Sequence, residues 1–322
     1  MAVLKYVQAL NQAIAEEMER DPLVFMLGED IVSGGMGVTP GLADRFGTER
    51  IRDTPITEAA FVGAAVGAAA AGMRPICDIM YAPFLYCAFD QLCNQAAKLR
   101  YMSGGQLRLP VTYLVAYAGG LSNGGQHSET VYSQLLGVAG LKIAAPSSPI
   151  DVKGLVKSAI RDDNPVVVFS HFTLNQSKED VPDGELLIPL GKAAVKRAGT
   201  DVTIVAIGAM VRKALKVAEE LAQDGISAEV LDPRTLIPLD EEAILASVAK
   251  TSRLVVVDEA HLRGSAASEI AATVAEKGFD LLDAPIKRVA SLDTPLPFSP
   301  VLERAVIPDE KRIAAAVREI CG

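Results

Sequence analysis

Apolar residues in this chain come in short unbroken runs separated by stretches of helical period. "LVFMLG" (23–28), "RPICDIM" (74–80), "PVTYLVAY" (110–117), "LKIAAP" (141–146) and "PVVVFS" (165–170) predict strands in the first half. "DVTIVAIG" (201–208), "SAEVLD" (227–232), "RLVVVDEA" (253–260) and "IKRVAS" (286–291) predict strands in the second. Most run continuously apolar rather than alternating, as strands covered on both faces of a parallel sheet do. "MVRKALKVAEELAQDG" (210–225) places apolar residues at helical spacing and stops at Gly225, and 239–251 and 264–278 read the same way. The βαβα order predicts an α/β fold with parallel sheets. The polar stretch 173–200 holds Pro182 and Pro189 and has no strong period. It reads as an interdomain linker with one strand. Two domains follow, 1–180 and 190–322, each a mostly parallel sheet flanked by helices.

One predicted helix is apolar on every side. In "DTPITEAAFVGAAVGAAAAGMRP" (53–75) the single ionisable side chain between Asp53 and Arg74 is Glu58. Pro55 stops the preceding strand, and Thr54 or Thr57 can cap the helix. A carboxylate in the first turn complements the helix dipole, worth about 0.3–1 kcal/mol. That explains the helix start but not why nothing else nearby is polar. A carboxylate walled in by apolar side chains holds a proton more tightly and can share it with a ligand. The apolar run from Ala59 to Met73 falls short of the roughly 20 residues needed to span a bilayer.

Composition narrows the classes. The 322 residues carry a net charge of −9 and no basic cluster, which argues against nucleic-acid binding. Cysteines at 77, 87, 93 and 321 fit neither a zinc site nor a disulfide framework, and read as buried small hydrophobes in a reducing compartment. The N-terminus is amphipathic and acidic, unlike a signal peptide. The expectation is a cytoplasmic protein that does not bind membranes.

The stretch "GGMGVTPG" (34–41) follows a strand as a dinucleotide loop would, but Pro40 stands where a glycine is needed. Three histidines are too few for a metal cluster. His127 stands out by its setting, "AGGLSNGGQHSE" (118–129). Flanking glycines let a backbone come close to a ligand. A loop histidine bonded to a nearby carbonyl is the other reading.

"DTPITEAAFVGAAVGAAAAGMRPICDIMYAPF", then "DQLCNQAAKLRYMSGG", "GGQHSE" and "KGLVKSAIRDDNPVVV", resemble the β subunit of thiamine-diphosphate-dependent 2-oxo acid dehydrogenases. "DPRTLIPLDEEAILASVAKT", "RLVVVDEA" and "LDTPLPFSPVLE" resemble its C-terminal domain, so the likeness runs over essentially the whole chain. The family is transketolase-like. Pyruvate and acetoin types are the nearest in appearance, with the branched-chain type and the C-terminal half of a split transketolase as alternatives. The resemblance implies that Glu58 bonds a ring nitrogen of the cofactor's aminopyrimidine and favours the tautomer that takes the thiazolium proton. It implies that Met80 and Phe84 contact that ring. It implies that His127 assists acyl transfer to a lipoyl arm. It also implies a potassium site at Val111, Ala159, Ile160, Asp162 and Asn164.

No GDG motif for a diphosphate-bound Mg²⁺ occurs in the sequence. The resemblance places that motif, and the Mg²⁺, on a separate α subunit. It therefore implies a heterotetramer of two α and two β chains that passes an acyl group to a lipoyl-bearing acyltransferase. The face through Gly63 and Gly67 is a candidate for close helix packing with a partner. Ser170, where the family usually has an acid, Asn175, where a tyrosine is frequent, and a short loop after "GED" depart from the pattern and leave the substrate open.

Overall fold

In a computed structural model, which describes residues 2–322, the chain divides into two compact units. Unit 1 takes residues up to 117 and 134–190; unit 2 takes 118–133 and 191–322. The segment 118–133, counted with the first half on sequence, thus packs with the second.

In chain order, unit 1 begins with β1 (Ala2–Lys5), α1 (Tyr6–Arg20), β2 (Val24–Gly28), α2 (Leu42–Phe46), β3 (Ile51–Asp53) and α3 (Glu58–Ala70). It continues with β4 (Arg74–Tyr81), α4 (Leu99–Met102) and β5 (Thr112–Tyr117). Helix α5 (Gly125–Ser128) belongs to unit 2. Next come α6 (Tyr132–Leu135) at the boundary, then β6 (Lys142–Ala144), α7 (Pro149–Arg161), β7 (Val166–His171) and β8 (Lys178–Val181). Unit 2 resumes with β9 (Ala194–Arg197), β10 (Val202–Ala206), α8 (Met210–Gln223), β11 (Ala228–Asp232), β12 (Thr235–Ile237) and α9 (Glu241–Thr251). It closes with β13 (Leu254–His261), α10 (Ala266–Lys277), β14 (Lys287–Ser291), α11 (Pro300–Val306) and α12 (Glu310–Cys321).

The strands of unit 1 lie in the order β6-β7-β5-β4-β2-β3, all neighbours parallel. Every residue of β2 and β7 is buried, as their continuous apolar sequences require. Unit 2 orders its strands β14-β13-β10-β11-β9, parallel except for the edge strand β9. Its helices start where the sequence offers a cap: Asp240 accepts from Ala243 N, Ser265 from Ser268 N and Asp309 from Arg312 N.

The short strands β1, β3, β8, β9 and β12 lie outside the predicted apolar runs. β1 and β8 pair antiparallel, so the N-terminal tetrapeptide is strand rather than the start of the amphipathic stretch. The polar segment 173–200 holds two strands, β8 and β9, not one. Both are mostly exposed or half-buried, so neither shows an unbroken apolar run. Of the four cysteines expected to be buried only Cys77 is; Cys87 is exposed, and Cys93 and Cys321 are half-buried.

Candidate active site

Helix α3 enters from β3, and Glu58 is its first residue. Thr57 occupies the cap position, but its hydroxyl donates to Pro55 O at 3.1 Å and caps nothing. Thr54 Oγ1 is buried with no partner. The capping expected of these threonines is therefore not made, and the Glu58 carboxylate is the acidic group of the first turn. Glu58 is 9% exposed, and Phe61, Val62, Ala65 and Val66 of the same helix are buried.

Glu29 links it electrostatically to a further carboxylate, Asp78. Glu29 follows β2, and Glu58, Asp30 and Asp78 all act on it electrostatically. Burial first, then these neighbours, push the Glu29 carboxyl above its ordinary value, and its Oε1 is buried without a partner. Asp78 lies on β4 opposite Gly28 of β2. A Cβ on Gly28 would stand 2.9 Å from Asp78 Cβ and 2.7 Å from its carbonyl oxygen, so the glycine lets the two strands close here. Burial pushes the Asp78 carboxyl up to about 6, against the bond that its Oδ1 accepts from Met80 N at 2.9 Å. The pairing of β4 with β5 slips between Asp78 and Tyr81, and Met80 sits at φ 66°, a left-handed conformation costly for a side-chain-bearing residue. Backbone strain of this kind is kept where the site needs a side chain re-aimed.

The aromatic wall is formed just after. Phe84, in the 3₁₀ turn 82–88, meets Tyr81 edge-on with centroids 5.6 Å apart. Tyr81 stacks on Phe172 at 5.9 Å. A small cavity of about 20 Å³, room for one water, is lined by Met36, Asp78, Met80, Ser170, Phe172 and Asn175, among others. Ser170, Asn175 and the short loop through Met36, the three departures from the family pattern, thus gather at one place. Glu29, Glu58, Asp78 and Met80 all lie at or just past the carboxyl ends of parallel strands, where open α/β sheets bind ligands. Sequence reasoning missed Glu29 and Asp78; "GED" directly after an apolar strand was the available signal for the first.

His127 is carried by unit 2, on α5, with its backbone N–H donating to Gly124 O at 3.2 Å. The five residues expected to bind potassium all lie in unit 1. Ile160 O accepts from Arg74 Nε at 2.9 Å and Asp162 O from Arg74 Nη2 at 2.7 Å. Val111 O accepts from Val166 N and Ala159 O from Asp162 N. Asp162 pairs with Lys142 and accepts from both the backbone and the side-chain amide of Asn164, and Asn164 Oδ1 takes Arg100 Nη1 at 2.9 Å. The donors are all oxygens, and each carbonyl engaged once retains a second lone pair. Three cationic side chains, Arg74, Arg100 and Lys142, already engage the oxygens of Ile160, Asp162 and Asn164. A larger cavity, about 520 Å³ between α1 and α7, is lined by Glu16, Glu17, Lys153, Lys157, Arg161 and Glu185, whose charges pair with one another.

Two α/β units with mostly parallel sheets define the fold class. The family "Transketolase, pyrimidine binding domain" matches residues 2–176 and "Transketolase, C-terminal domain" matches 191–313. A solved structure described as a split gene transketolase, inactive beta4 tetramer, shares the fold with a TM-score of 0.81 over 99% of this chain and 98% of that one. Its identity of 24% speaks for the fold alone. Among curated relatives, the acetoin:2,6-dichlorophenolindophenol oxidoreductase subunit beta of Bacillus subtilis is 46% identical, over 99% of this chain and 98% of its own. The 2-oxoisovalerate dehydrogenase subunit beta of the same organism is 43% identical over 99% of both chains. The pyruvate dehydrogenase E1 component subunit beta of Rickettsia felis is 44% identical, over 98% of this chain and 97% of its own. The chain belongs to the thiamine-diphosphate-dependent family of 2-oxo acid and acetoin dehydrogenase β subunits.

Proposed function

We propose that this chain is the β subunit of a pyruvate-type 2-oxo acid dehydrogenase, active only with an α subunit, in a cytoplasmic complex of two α and two β chains. The reaction is oxidative decarboxylation of a 2-oxo acid, with the acyl group delivered to lipoamide on an acyltransferase. The observation that carries the reading is the Glu58 carboxylate at the mouth of an apolar helix, within electrostatic reach of Glu29.

The residues present fit thiamine diphosphate: a buried carboxyl oxygen of Glu29 without a partner, a first-turn Glu58, and a ring wall at Tyr81 and Phe84. When bound, thiamine diphosphate would supply a carbon nucleophile. Glu58 would hold a proton at the pyrimidine ring nitrogen. Met80 and Phe84 would cover the ring face, and the apolar side chains around Glu58 keep water from competing for that proton. Mg²⁺ and the diphosphate would be held by the α subunit. Potassium at Val111, Ala159, Ile160, Asp162 and Asn164 would brace the turn after α7. His127 would assist transfer of the acyl group.

Acetoin is the second reading, favoured by the 46% and 47% identity to acetoin-oxidising relatives from two organisms. The test is co-expression with an α chain and dye reduction on pyruvate, acetoin and branched 2-oxo acids. Activity on one of these, absent from either chain alone, is the expected result and names the substrate. A stable, cofactor-bound complex inert on all three but active on sugar phosphates would replace the reading with a transketolase.

A further inference from the structure

Segment 118–133, which carries His127, is held to the C-terminal unit by carboxylates. Gly119 N donates to Glu259 Oε1 at 2.7 Å. Ser122 donates to Glu303 Oε2 twice, from N at 2.9 Å and from Oγ at 3.2 Å. Tyr132 donates its hydroxyl to Asp258. From the segment itself, Glu129 Oε1 accepts Leu296 N at 3.1 Å. These bonds bracket His127 on both sides in sequence. Three of the carboxylates are deeply buried: Glu303 is 1% exposed, Asp258 0% and Glu259 6%.

The C-terminal unit is built to present them. The pairing of β13 with β14 slips between Val257 and His261, and the slip spans Asp258 and Glu259. Asp258 is itself fixed by Ala260 N at 2.9 Å and Ala267 N at 3.2 Å. Glu303 stands on α11 and has a second oxygen, Oε1, buried without a partner. A buried acid thus accepts from the Ser122 turn, where Ser122 itself lies at φ 59°. Charge-assisted bonds from backbone N–H groups are the strong kind.

The glycines have the same cause. A Cβ on Gly119 would stand 2.8 Å from Ile307 Cγ2 and 3.2 Å from Glu259 Oε1. One on Gly124 would stand 2.7 Å from the Phe298 ring, and Gly124 needs φ +74° besides. One on Gly125 would stand 3.1 Å from Glu129 Oε1. Their close approaches are to this chain's own side chains.

We propose that Glu303 is a positioning residue: with Glu259 and Asp258 it fixes the His127 segment, so the C-terminal unit sets the acyl-transfer step. This rests on the reading of His127 given above. The test uses the assembled αβ complex with Glu303→Ala, Glu303→Gln and His127→Ala. Three quantities are read: amide hydrogen exchange over 118–133, dye reduction, and acylation of lipoyl domain. For Glu303→Ala we expect exchange at Ser122–Glu129 at least tenfold faster, kcat for lipoyl acylation about tenfold lower, and dye reduction within about twofold. Glu303→Gln keeps an acceptor oxygen and should recover most of both, with exchange about threefold above wild type; that variant decides the matter if the alanine form does not assemble. Unchanged exchange in Glu303→Ala, or in Glu303→Gln where only that variant assembles, overturns the proposal. So does faster exchange with unchanged lipoyl acylation while His127→Ala abolishes it. If His127→Ala leaves lipoyl acylation intact, the reading of His127 fails instead, and the exchange data still decide whether Glu303 holds the segment.

Discussion

Asp78 is the residue whose charge the fold opposes most visibly in the site. Its carboxyl is pushed from 3.8 to about 6 by burial. A raised folded value means the native state binds the proton more tightly than the unfolded chain does. The associated stability is therefore complete below pH 4 and lost as pH rises to about 6. The loss is roughly 3 kcal/mol at neutral pH, from about 1.4 kcal/mol for each tenfold gain in proton affinity. Asp78→Asn keeps the oxygen that accepts Met80 N and removes the ionisation. It should raise the denaturation midpoint at pH 7.5 and leave no gain at pH 4; equal effects at both would show that charge is not the cause. Glu58→Gln addresses chemistry instead. In the assembled complex it should cut dye reduction by about 10²–10⁴, the usual worth of a positioned acid–base group, with assembly intact. Glu58 was legible in sequence because its surroundings are so uniformly apolar. Asp78 was not: it sits inside an apolar strand, where a carboxylate gives no period of its own, and the Gly28 contact that seals it joins residues 50 positions apart.

At the scale of elements, α3 has one face against the sheet and another bare. Phe61, Val62, Ala65, Val66 and Ala69 are buried, whereas a Cβ on Gly67 would meet nothing within 4 Å. A glycine inside a helix costs roughly 0.5–1 kcal/mol against alanine. Its presence on an open face is unexplained by this chain, and the proposed α subunit supplies a reason. Gly67→Leu should leave the isolated chain as stable or slightly more so, yet prevent co-purification with the α chain. A complex that forms normally would remove this face from the interface. The turn after α7 offers a second test. If potassium binds there, the thermal midpoint should rise in KCl over choline chloride at equal ionic strength, and Asp162→Ala should abolish the difference. No difference in wild type would mean that Arg74, Arg100 and Lys142 hold the turn alone. Such turns are hard to read from sequence, because the oxygens are mostly backbone carbonyls that any residue could supply.

For the whole molecule, the βαβα order was readable because central parallel strands must be apolar on both faces. The edge strands β1, β8 and β9 were not, since a half-covered edge has no such demand. Nor was the reassignment of 118–133: its partners, Asp258, Glu259 and Glu303, lie more than 100 positions away. The sequence also lacks the GDG motif, and under the proposed function this chain would hold only the pyrimidine end of the cofactor. A ligand gripped at one end forgoes the charge-assisted bonds and metal contacts of the other. Titration of the isolated chain with thiamine diphosphate and Mg²⁺ should give no measurable heat up to about 1 mM, corresponding to less than about 4 kcal/mol of binding. The same titration on the αβ complex should saturate at one cofactor per β chain. Tight binding by the isolated chain would place a diphosphate site here and remove the need for an α subunit to complete it.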